Sequence, residues 1–297
     1  MPGQEDIRWG LARRFEFIEW RAYWVGRINR RDLEERFGVS TPQASVDLRS
    51  YQEAAPGNIE YNATEKAYMP TSAFAPKYSR LSADRYLLQL GAIGNGAISP
   101  ADTWFGSAPP ADVVPPPERR VEPATLRAIV QAIDGSKELD VRYLSLTSTG
   151  RRTIAPHSLA FDGHRWHARA WSVERRDFRD FVLSRIQDVG EIRGSSADPA
   201  DDIEWNTHVE LKVVAHPALS EPQKAAVERD FGMTDGLLVM KTRVALAFYV
   251  IKRLDLDLDQ AGIPPERRQI FLSNRGEVEE AQRIAKAEGK ARRSAKT

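Results

Sequence analysis

The chain has 297 residues, a formal net charge of +1 and no cysteine. This length favours two or three domains, and the absence of cysteine excludes disulfides and thiolate metal sites and fits the reducing cytosol. The first residues lack the basic start and apolar core of a signal peptide, and the longest apolar run is too short to span a bilayer. We therefore expect a cytoplasmic protein without membrane contact, in which any binding of nucleic acid depends on local basic patches.

The first part of the sequence has the periodicity of helices. Apolar residues recur at three- and four-residue steps from Arg8 to about Val25, which predicts an amphipathic helix. A short helix follows over 31–37, and Gly38 ends it, because glycine adopts the left-handed cap conformation at low cost. A second helix, capped by Ser40 or by its own first residue, is predicted over 41–53.

Two helices around a glycine-centred turn are the layout of a helix-turn-helix, although a helix hairpin in any bundle would look alike. The segment 31–40 is similar to the scaffold helix and turn of many such domains, and two alternating runs over 58–62 and 66–69 suit the wing of a winged domain. The second helix would enter the major groove, where Gln and Arg can read base edges and Ser and Thr mostly hold phosphates. The predicted DNA-binding residues are Arg30, Thr41, Gln43, Ala44, Ser45, Arg49, Lys66 and Tyr68. Asp47 on the same helix would repel phosphate unless it turns inward or pairs with an arginine.

The next segment is predicted to connect two domains. A helix is expected from Ser82 to about Leu90, and the glycine-rich stretch 91–97 lacks the features of a phosphate-binding loop, so we interpret it as a flexible connection. A proline-rich linker follows over 103–117. Within it, Trp104 and Phe105 are expected to pack the linker onto a folded domain.

The stretch 139–192 holds four runs rich in β-branched and aromatic residues, as in a meander of antiparallel strands. In the third run, tryptophan and alanine alternate with Arg165, His167 and Arg169, which places three cationic or titratable groups on one face. If the strands curl into a small barrel, the cations of the other runs would converge with these three groups on one site. Such a site would bind an anion, because a guanidinium matches phosphate or carboxylate bidentately. A solvated polar face of a half-buried sheet would give the same alternation.

These strands carry the motifs of a known family. An Arg-x-Ile-x-Pro-x-x-Leu run covers 152–159, Trp166 follows a glycine turn, and a Phe-x-Leu-x-Arg-Ile run covers 181–186. With these elements in order, the segment resembles the WYL domain of bacterial transcriptional regulators, which is a small Sm-like β-barrel. The chain departs from the family at the eponymous tripeptide, which reads Trp-His-Ala over 166–168, so no ligand identity is carried over from other members.

The resemblance implies a domain that binds an effector on the polar side of its strands. The candidate ligand contacts are Tyr143, Ser145, Arg152, His157, His167, Arg169, Arg179 and Arg185. Their charge indicates an anionic effector, such as a nucleotide or nucleic acid.

The C-terminal part is predicted as a further α/β domain. An amphipathic helix over 121–136 leads into the strands, and a polar linker over 194–202 follows them. The region 209–272 reads as strands and helices, with 243–254 either a strand into a helix or one helix. This unit resembles the extension that often follows WYL domains and mediates dimer contacts. The tail 283–297 is rich in Lys and Arg and is expected to be solvated, with a phosphate contact left open.

No catalytic or metal chemistry is apparent. His164 and His167 lie three residues apart on a strand and so face opposite ways, and the remaining histidines have no ligand spacing. The chain also lacks a nucleophile elbow, a Walker loop and a zinc-protease motif. We expect a binding protein, with no catalytic residue, metal or cofactor.

Together these features predict an α+β multidomain protein. Its parts are a winged helix-turn-helix over 1–75, a helical and proline-rich linker over 76–120, a WYL barrel over 121–194, an α/β dimerisation domain over 203–275 and a basic tail over 276–297. The predicted function is a sequence-specific transcriptional regulator that binds a pseudo-palindromic operator as a homodimer. We expect it to repress transcription rather than to activate it. Regulators of this layout are often encoded beside phage-defence systems, so the resemblance implies that association.

Two other functions stay open at this point. A nucleic-acid sensor would bind single strands or ends through the barrel, with Trp166, Trp171 and Phe178 offering stacking surfaces, although Trp166 is expected to face the core. An enzyme that acts on a nucleotide is the third hypothesis.

Overall fold

A computed structural model of the protein describes residues 4–105, 108–115, 117–257 and 262–295. The chain divides into two units, Met1–Pro115 and Pro116–Thr297. Within the described ranges, no helix is both long and apolar enough to cross a membrane.

The first unit begins with three helices, α1 (Gln4–Val25), α2 (Arg30–Phe37) and α3 (Thr41–Ala54). Asn29 caps α2 through a capping box, in which its side chain accepts the N–H of Asp32 and the Asp32 carboxylate accepts the N–H of Asn29. Gly38 ends α2 with a φ of 64°, as predicted, and the Ser40 hydroxyl accepts the N–H of Gln43 at the start of α3. These caps fix the short turn between the two helices.

A two-stranded wing and a further helix complete this unit. The elements are β1 (Ile59–Asn62), β2 (Ala67–Pro70) and α4 (Ala83–Gly94). The strands pair antiparallel, and Ile28 extends the ladder by exchanging two backbone hydrogen bonds with Tyr68, at 2.9 and 2.8 Å. Helix α4 continues to Gly94, so part of the glycine-rich stretch is helical and the predicted flexible connection is wrong there.

The core of the first unit includes one buried carboxylate. Glu19 of α1 is fully buried and accepts the backbone N–H groups of residues 77–79 together with the hydroxyl of Tyr51. These four donors satisfy a charge that would be costly to bury alone, and they attach the segment after the wing to α1. Farther along, Phe105 is buried against Trp20, and Trp104 packs on Phe17, so both residues anchor the linker as predicted.

The second unit opens with α5 (Pro123–Asp134) and an antiparallel sheet of β3 (Lys137–Leu144), β4 (Thr149–Phe161), β5 (Trp166–Ser172), β6 (Asp177–Val182) and β7 (Ile186–Gly194). The strand order is β6-β5-β4-β3-β7. Ile129 and Ala132 of α5 pack with Leu139, Ile154 and Ala168 of the sheet in one core. The meander is as predicted, but the closed barrel is not confirmed, because the described strands form an open sheet with β6 and β7 at its edges.

The chain then continues as α6 (Ile203–Asn206), β8 (His208–Ala215), α7 (Glu221–Asp230), β9 (Leu237–Arg243), α8 (Val244–Arg253), β10 (Ile270–Leu272) and α9 (Arg275–Ala295). A three-stranded sheet has the order β10-β8-β9. Of the two interpretations of 243–254, the single helix is confirmed, because α8 begins at Val244 directly after β9 ends at Arg243. The prediction of a solvated basic tail is wrong up to Ala295. That segment is α9, and it buries Val278, Ala285 and Gly289 along one side.

Candidate nucleic-acid interface and ligand pocket

Helix α3 presents a polar face to solvent. Thr41, Gln43 and Arg49 are exposed, and Ser45 is half-buried with its hydroxyl donating to the Thr41 carbonyl at 2.9 Å. Val46 is 52% exposed on the same helix. An exposed aliphatic side chain among polar ones is suited to contact a thymine methyl group in a major groove.

Ala44 does not belong to this face. It is completely buried in the core of the first unit, together with Leu48 and Leu33. The predicted base contact from Ala44 is therefore wrong, because residues four apart lie on the same side of a helix and Leu48 faces inward.

One of the two acidic residues of α3, Asp47, is removed from the surface, whereas Glu53 in the last turn is exposed. Asp47 is 1% exposed and accepts hydrogen bonds from Arg14 of α1, with Nε to Oδ2 at 2.7 Å and Nη2 to Oδ1 at 3.3 Å. Gln43 donates its amide to the same carboxylate at 2.8 Å. The negative charge is thus paired with Arg14 inside the domain, where it also orients the Gln43 side chain at the exposed face.

The other predicted DNA contacts lie on α2 and the wing. Arg30 is exposed at the first residue of α2, and Lys66 is exposed in the wing turn, where it has a φ of 50°. Asn62 stabilises this turn by accepting the N–H groups of Thr64 and Glu65. Tyr68 is half-buried and packs against the core of the first unit, so less of it is available than of the two cations.

In the second unit, a cavity of about 410 Å³ lies beside β5 and β6. Five of the predicted ligand contacts line it, and the other lining residues include Arg175, Asp180 and Tyr249. We call it the effector pocket because five of the predicted effector contacts line it, namely Tyr143, Ser145, Arg152, Arg169 and Arg179. The other three predicted contacts, His157, His167 and Arg185, do not line it.

Arg169 lines the effector pocket but is already bound to carboxylates. Its side chain is 5% exposed and forms a bidentate pair with Asp202, at 2.7 and 2.9 Å, and further hydrogen bonds to Asp180 and Glu204, both at 3.3 Å. Burial works against the charge of both partners, but the hydrogen bonds and charges outweigh it, so the pKa of Arg169 is raised and that of Asp202 is lowered. Arg169 is thus a buried structural cation. The prediction that it contacts a ligand is not supported by this geometry.

The two predicted histidine contacts have internal partners as well. The His157 ring lies with Nε2 3.0 Å from Asp202, and the His167 ring lies with Nε2 2.9 Å from Asp162. Both side chains are less than a tenth exposed, at 7% and 3%. The structure therefore removes them from the predicted ligand set, because each imidazole is bound to a carboxylate outside the effector pocket.

The Asp162 side chain, 6% exposed, is a further carboxylate held inside the second unit. Besides His167, it accepts the backbone N–H groups of His164 and Arg165, and the Arg165 side chain. Burial alone would raise the pKa of Asp162, but these hydrogen bonds outweigh it and hold the pKa well below its usual range. The carboxylate is therefore ionised wherever the domain is folded near neutral pH.

The polar face of β5 is covered, contrary to the alternative of a solvated sheet. His167 and Arg169 are buried at 2% and 4% exposure, and the His167 ring lies 5.0 Å from that of Tyr249 on α8. Trp166, which was expected to face the core, is 49% exposed and packs on Phe161. The sequence pattern separated the two faces correctly, but the C-terminal elements bury the face that carries the charges.

Arg152 and Arg179 are the accessible cations among the predicted contacts. Arg152 donates to the Ser148 hydroxyl at 2.9 Å, and within the described part of the chain no carboxylate lies within 4.0 Å of it. The Arg179 side chain is 53% exposed, 3.8 Å from Asp177. Arg185, in the turn before β7, is half-buried away from the pocket. The described residues contain no cluster of His, Asp and Glu that would hold a metal ion.

Three family models match the chain in the order of its elements. Residues 10–92 match the BrxR transcriptional regulator winged helix-turn-helix domain, residues 124–190 match the WYL domain, and residues 208–278 match the BrxR transcriptional regulator C-terminal dimerization domain. The first unit is thus a winged-helix domain, and the five-stranded sheet is a WYL region, as the sequence motifs predict.

Curated relatives match over nearly the full length. The chain is 37% identical over 281 residues to the DNA-binding transcriptional repressor CapW of Escherichia coli strain KTE188, with 93% of each chain covered. It is 36% identical to CapW of Stenotrophomonas maltophilia and 37% identical to CapW of Pseudomonas aeruginosa, with 94% of each chain covered in both cases.

Proposed function

This protein belongs to the family of CapW DNA-binding transcriptional repressors, and we propose that it represses by binding a pseudo-palindromic operator as a homodimer, under the control of an anionic effector. The members of this family are transcriptional regulators and not enzymes, as the sequence predicts. The proposal includes control of its own operon, and an association of that operon with phage defence.

The exposed face of α3 is the observation that carries the operator-binding proposal. It combines Gln43 and Arg49, whose side chains can pair with base edges, with Thr41 for the phosphate backbone. The pairing of Asp47 with Arg14 supports it further, because the carboxylate beside Gln43 is buried and paired, and the other acidic residue of the helix, Glu53, lies in its last turn. Lys66 in the wing turn and Arg30 would add sequence-independent phosphate contacts.

Dimerisation sets the expected form of the operator. A two-fold dimer presents two recognition helices, which read two half-sites about 10 base pairs apart, centre to centre, or a multiple of that distance. The match of residues 208–278 to a C-terminal dimerization domain supports the dimer.

The effector is proposed to bind in the effector pocket. Its volume of about 410 Å³ lies in the range of small-molecule sites, which is roughly 300–1,000 Å³. Arg152 and Arg179 would pair with the anionic groups of the effector, and Ser145 and Tyr143 would add hydrogen bonds. Arg169 would support the pocket wall through its carboxylate partners.

The operator proposal is tested by footprinting and equilibrium binding on the protein's own promoter DNA. Arg49→Ala is expected to lose about 1–3 kcal/mol of specific binding, with melting behaviour and oligomeric state unchanged. The matched control is Arg85→Ala, an exposed arginine on α4 that should bind like the wild type. Wild-type affinity in Arg49→Ala would show that α3 is not the reading helix.

The effector proposal is tested by operator affinity with and without a panel of added mononucleotides. Arg152→Ala should bind operator normally but lose any response, whereas Arg127→Ala, on the exposed side of α5, should respond like the wild type. Loss of basal operator binding in a well-folded Arg152→Ala protein would contradict this division of roles. Equal binding to unrelated duplexes would instead favour a nucleic-acid sensor.

A further inference from the structure

The second unit contains another cavity, which is larger than the effector pocket. It has a volume of about 970 Å³ and lies between the β5–β6 turn and the last turns of α9. Trp171 and Phe178 form its aromatic wall, and its basic side chains are Arg175, Arg176, Lys286, Lys290 and Arg293. We call this cavity the basic cleft.

The local sequence explains how the aromatic wall forms. Trp171 of β5 pairs with Phe178 of β6 across the hairpin, and their rings lie 5.1 Å apart at 63°. Phe178 is buried and holds the Trp171 side chain, which is only half-buried. Directly after the strand, the turn carries Arg175 and Arg176 into the rim of the same cleft. A partly exposed indole is thus fixed next to cationic side chains.

Helix α9 supplies the opposite wall. Lys286, Lys290 and Arg293 follow at steps of four and three residues, which places them along one side of the helix. Ala285 and Gly289, next to the lysines in sequence, are buried and fix the helix against the domain. The three cations therefore face the cleft from a packed element and not from a free tail.

The charges of the basic cleft are only partly balanced. Its lining includes Asp177, Asp198 and Asp201 against five cations, and Arg293 pairs with Asp177 at 3.0 Å. Across the described ranges, no carboxylate lies within 4.0 Å of the charged groups of Arg175, Lys286 and Lys290, which are all exposed. Two like charges four residues apart on a helix repel by about 0.2–0.5 kcal/mol. An anion between them would relieve this repulsion.

We propose that the basic cleft is a second ligand site, which binds a phosphorylated nucleoside. The base would stack on Trp171, since every nucleobase has a face that can stack on an aromatic ring. Its phosphates would pair with Lys286, Lys290 and Arg175. The residues of α9 beyond 278 lie outside all three matched family models, so none of these assigns a role to the two lysines.

The source of this ligand is either a free nucleotide or a single-stranded oligonucleotide, and both carry the same chemistry. Direct titration of the full chain with ATP, with the oligonucleotide dT8 and with inorganic triphosphate separates the sources. The probe that binds more tightly at physiological salt identifies the source. No operator DNA is present, so the titration is independent of operator binding, and the variant Arg152→Ala described below distinguishes binding in the basic cleft from binding in the effector pocket.

Lys286→Gln/Lys290→Gln is expected to weaken the tighter probe about tenfold or more, because two charge-assisted contacts are lost. Trp171→Leu should weaken ATP or dT8 but leave inorganic triphosphate unchanged, since triphosphate has no base to stack. The matched control Arg127→Gln/Lys241→Gln removes two exposed charges that do not line the cleft, and it should bind like the wild type. Melting curves establish that each variant is folded.

The variant Arg152→Ala distinguishes the two cavities, because Arg152 lines the effector pocket and not the basic cleft. It should bind the tighter probe in the basic cleft like the wild type. The proposal is overturned if the wild type binds neither ATP nor dT8, or if the lysine variant binds as tightly as the control. It is equally overturned if Arg152→Ala abolishes the binding, because the effector pocket would then be the site. Equal affinity for triphosphate and nucleotides, with no effect of Trp171→Leu, would refute the nucleoside part.

Discussion

The buried network around Arg169 leads to a specific expectation for stability. Replacing Arg169 by methionine keeps most of its volume but leaves Asp202 and Asp180 without their main cationic partner. Asp202 is 1% exposed, so its carboxylate cannot regain water without local unfolding. Removing one partner of a buried ion pair costs about 3–5 kcal/mol. In a unit of this size, that loss lowers the melting temperature on the order of 10 °C.

The assay is thermal unfolding of the full chain at a fixed protein concentration, because dimerisation makes the melting temperature depend on concentration. The control is Arg179→Ala, whose exposed side chain lies 3.8 Å from its nearest carboxylate, Asp177, and whose loss should cost less than about 1 kcal/mol. If Arg169→Met melts within a degree or two of the wild type, the reasoning is refuted, and Arg169 is available for a ligand after all.

A double-mutant cycle isolates the pair itself. Asp202→Asn removes the charge but retains an acceptor for the Trp205 N–H at the start of α6. We expect the double variant Arg169→Met/Asp202→Asn to be more stable than the sum of the single effects by about 2 kcal/mol. Simple additivity would show that the two groups do not stabilise each other.

Three further predictions follow from other ionic contacts. Because the pKa of Asp162 is lowered in the folded protein, its stabilising contribution is present at neutral pH and is lost as the pH falls below about 4. In thermal melts between pH 7 and about pH 3, the variant Asp162→Asn should therefore lose less stability than the wild type. Arg14→Ala should destabilise the first unit by about 3 kcal/mol, because Asp47 stays buried, and unchanged unfolding in denaturant would contradict this. Lys66→Ala should weaken binding to all duplexes alike and reduce the slope of log affinity against log salt by about 1; an effect on one sequence alone would speak against a phosphate contact.

Local patterns of the sequence were sufficient for most of the secondary structure. The caps at Asn29, Gly38 and Ser40 are local features, so the ends of α2 and α3 could be predicted closely. The alternation along β5 likewise separated the apolar and polar sides of that strand. The predicted base contact of Ala44 was wrong, although its position four residues before Leu48 already indicates the buried side of α3.

The partners of the charged strand residues could not be predicted in the same way. Asp202 lies 33 residues after Arg169 and 45 after His157, in a segment that reads as a polar linker. Such a long-range ion pair leaves no periodic signal, so the cations appeared to be free for an anion. The partner of His167 is closer in sequence, because Asp162 lies only five residues earlier. The segment that holds Asp162 was predicted only as a turn.

Helix α9 was missed for a different reason. The high density of Lys and Arg suggested a solvated tail, but Val278, Ala285 and Gly289 recur at helical steps within it and are buried. Small residues give a weak apolar signal, and that signal was outweighed by charge. The same helix then brings Lys286 and Lys290 to the basic cleft, a juxtaposition with the β5–β6 turn that only the tertiary structure provides.

We propose that this protein recognises a particular DNA sequence through α3. The most direct test is equilibrium binding to duplex DNA from its own promoter, compared with a scrambled duplex of the same composition at physiological salt. We expect a tight complex with a two-fold symmetric footprint, and affinity for the promoter at least about a thousandfold higher than for the scrambled duplex. Equal, weak binding to both duplexes would contradict operator recognition and leave the basic surfaces of the second unit as the place where nucleic acid binds.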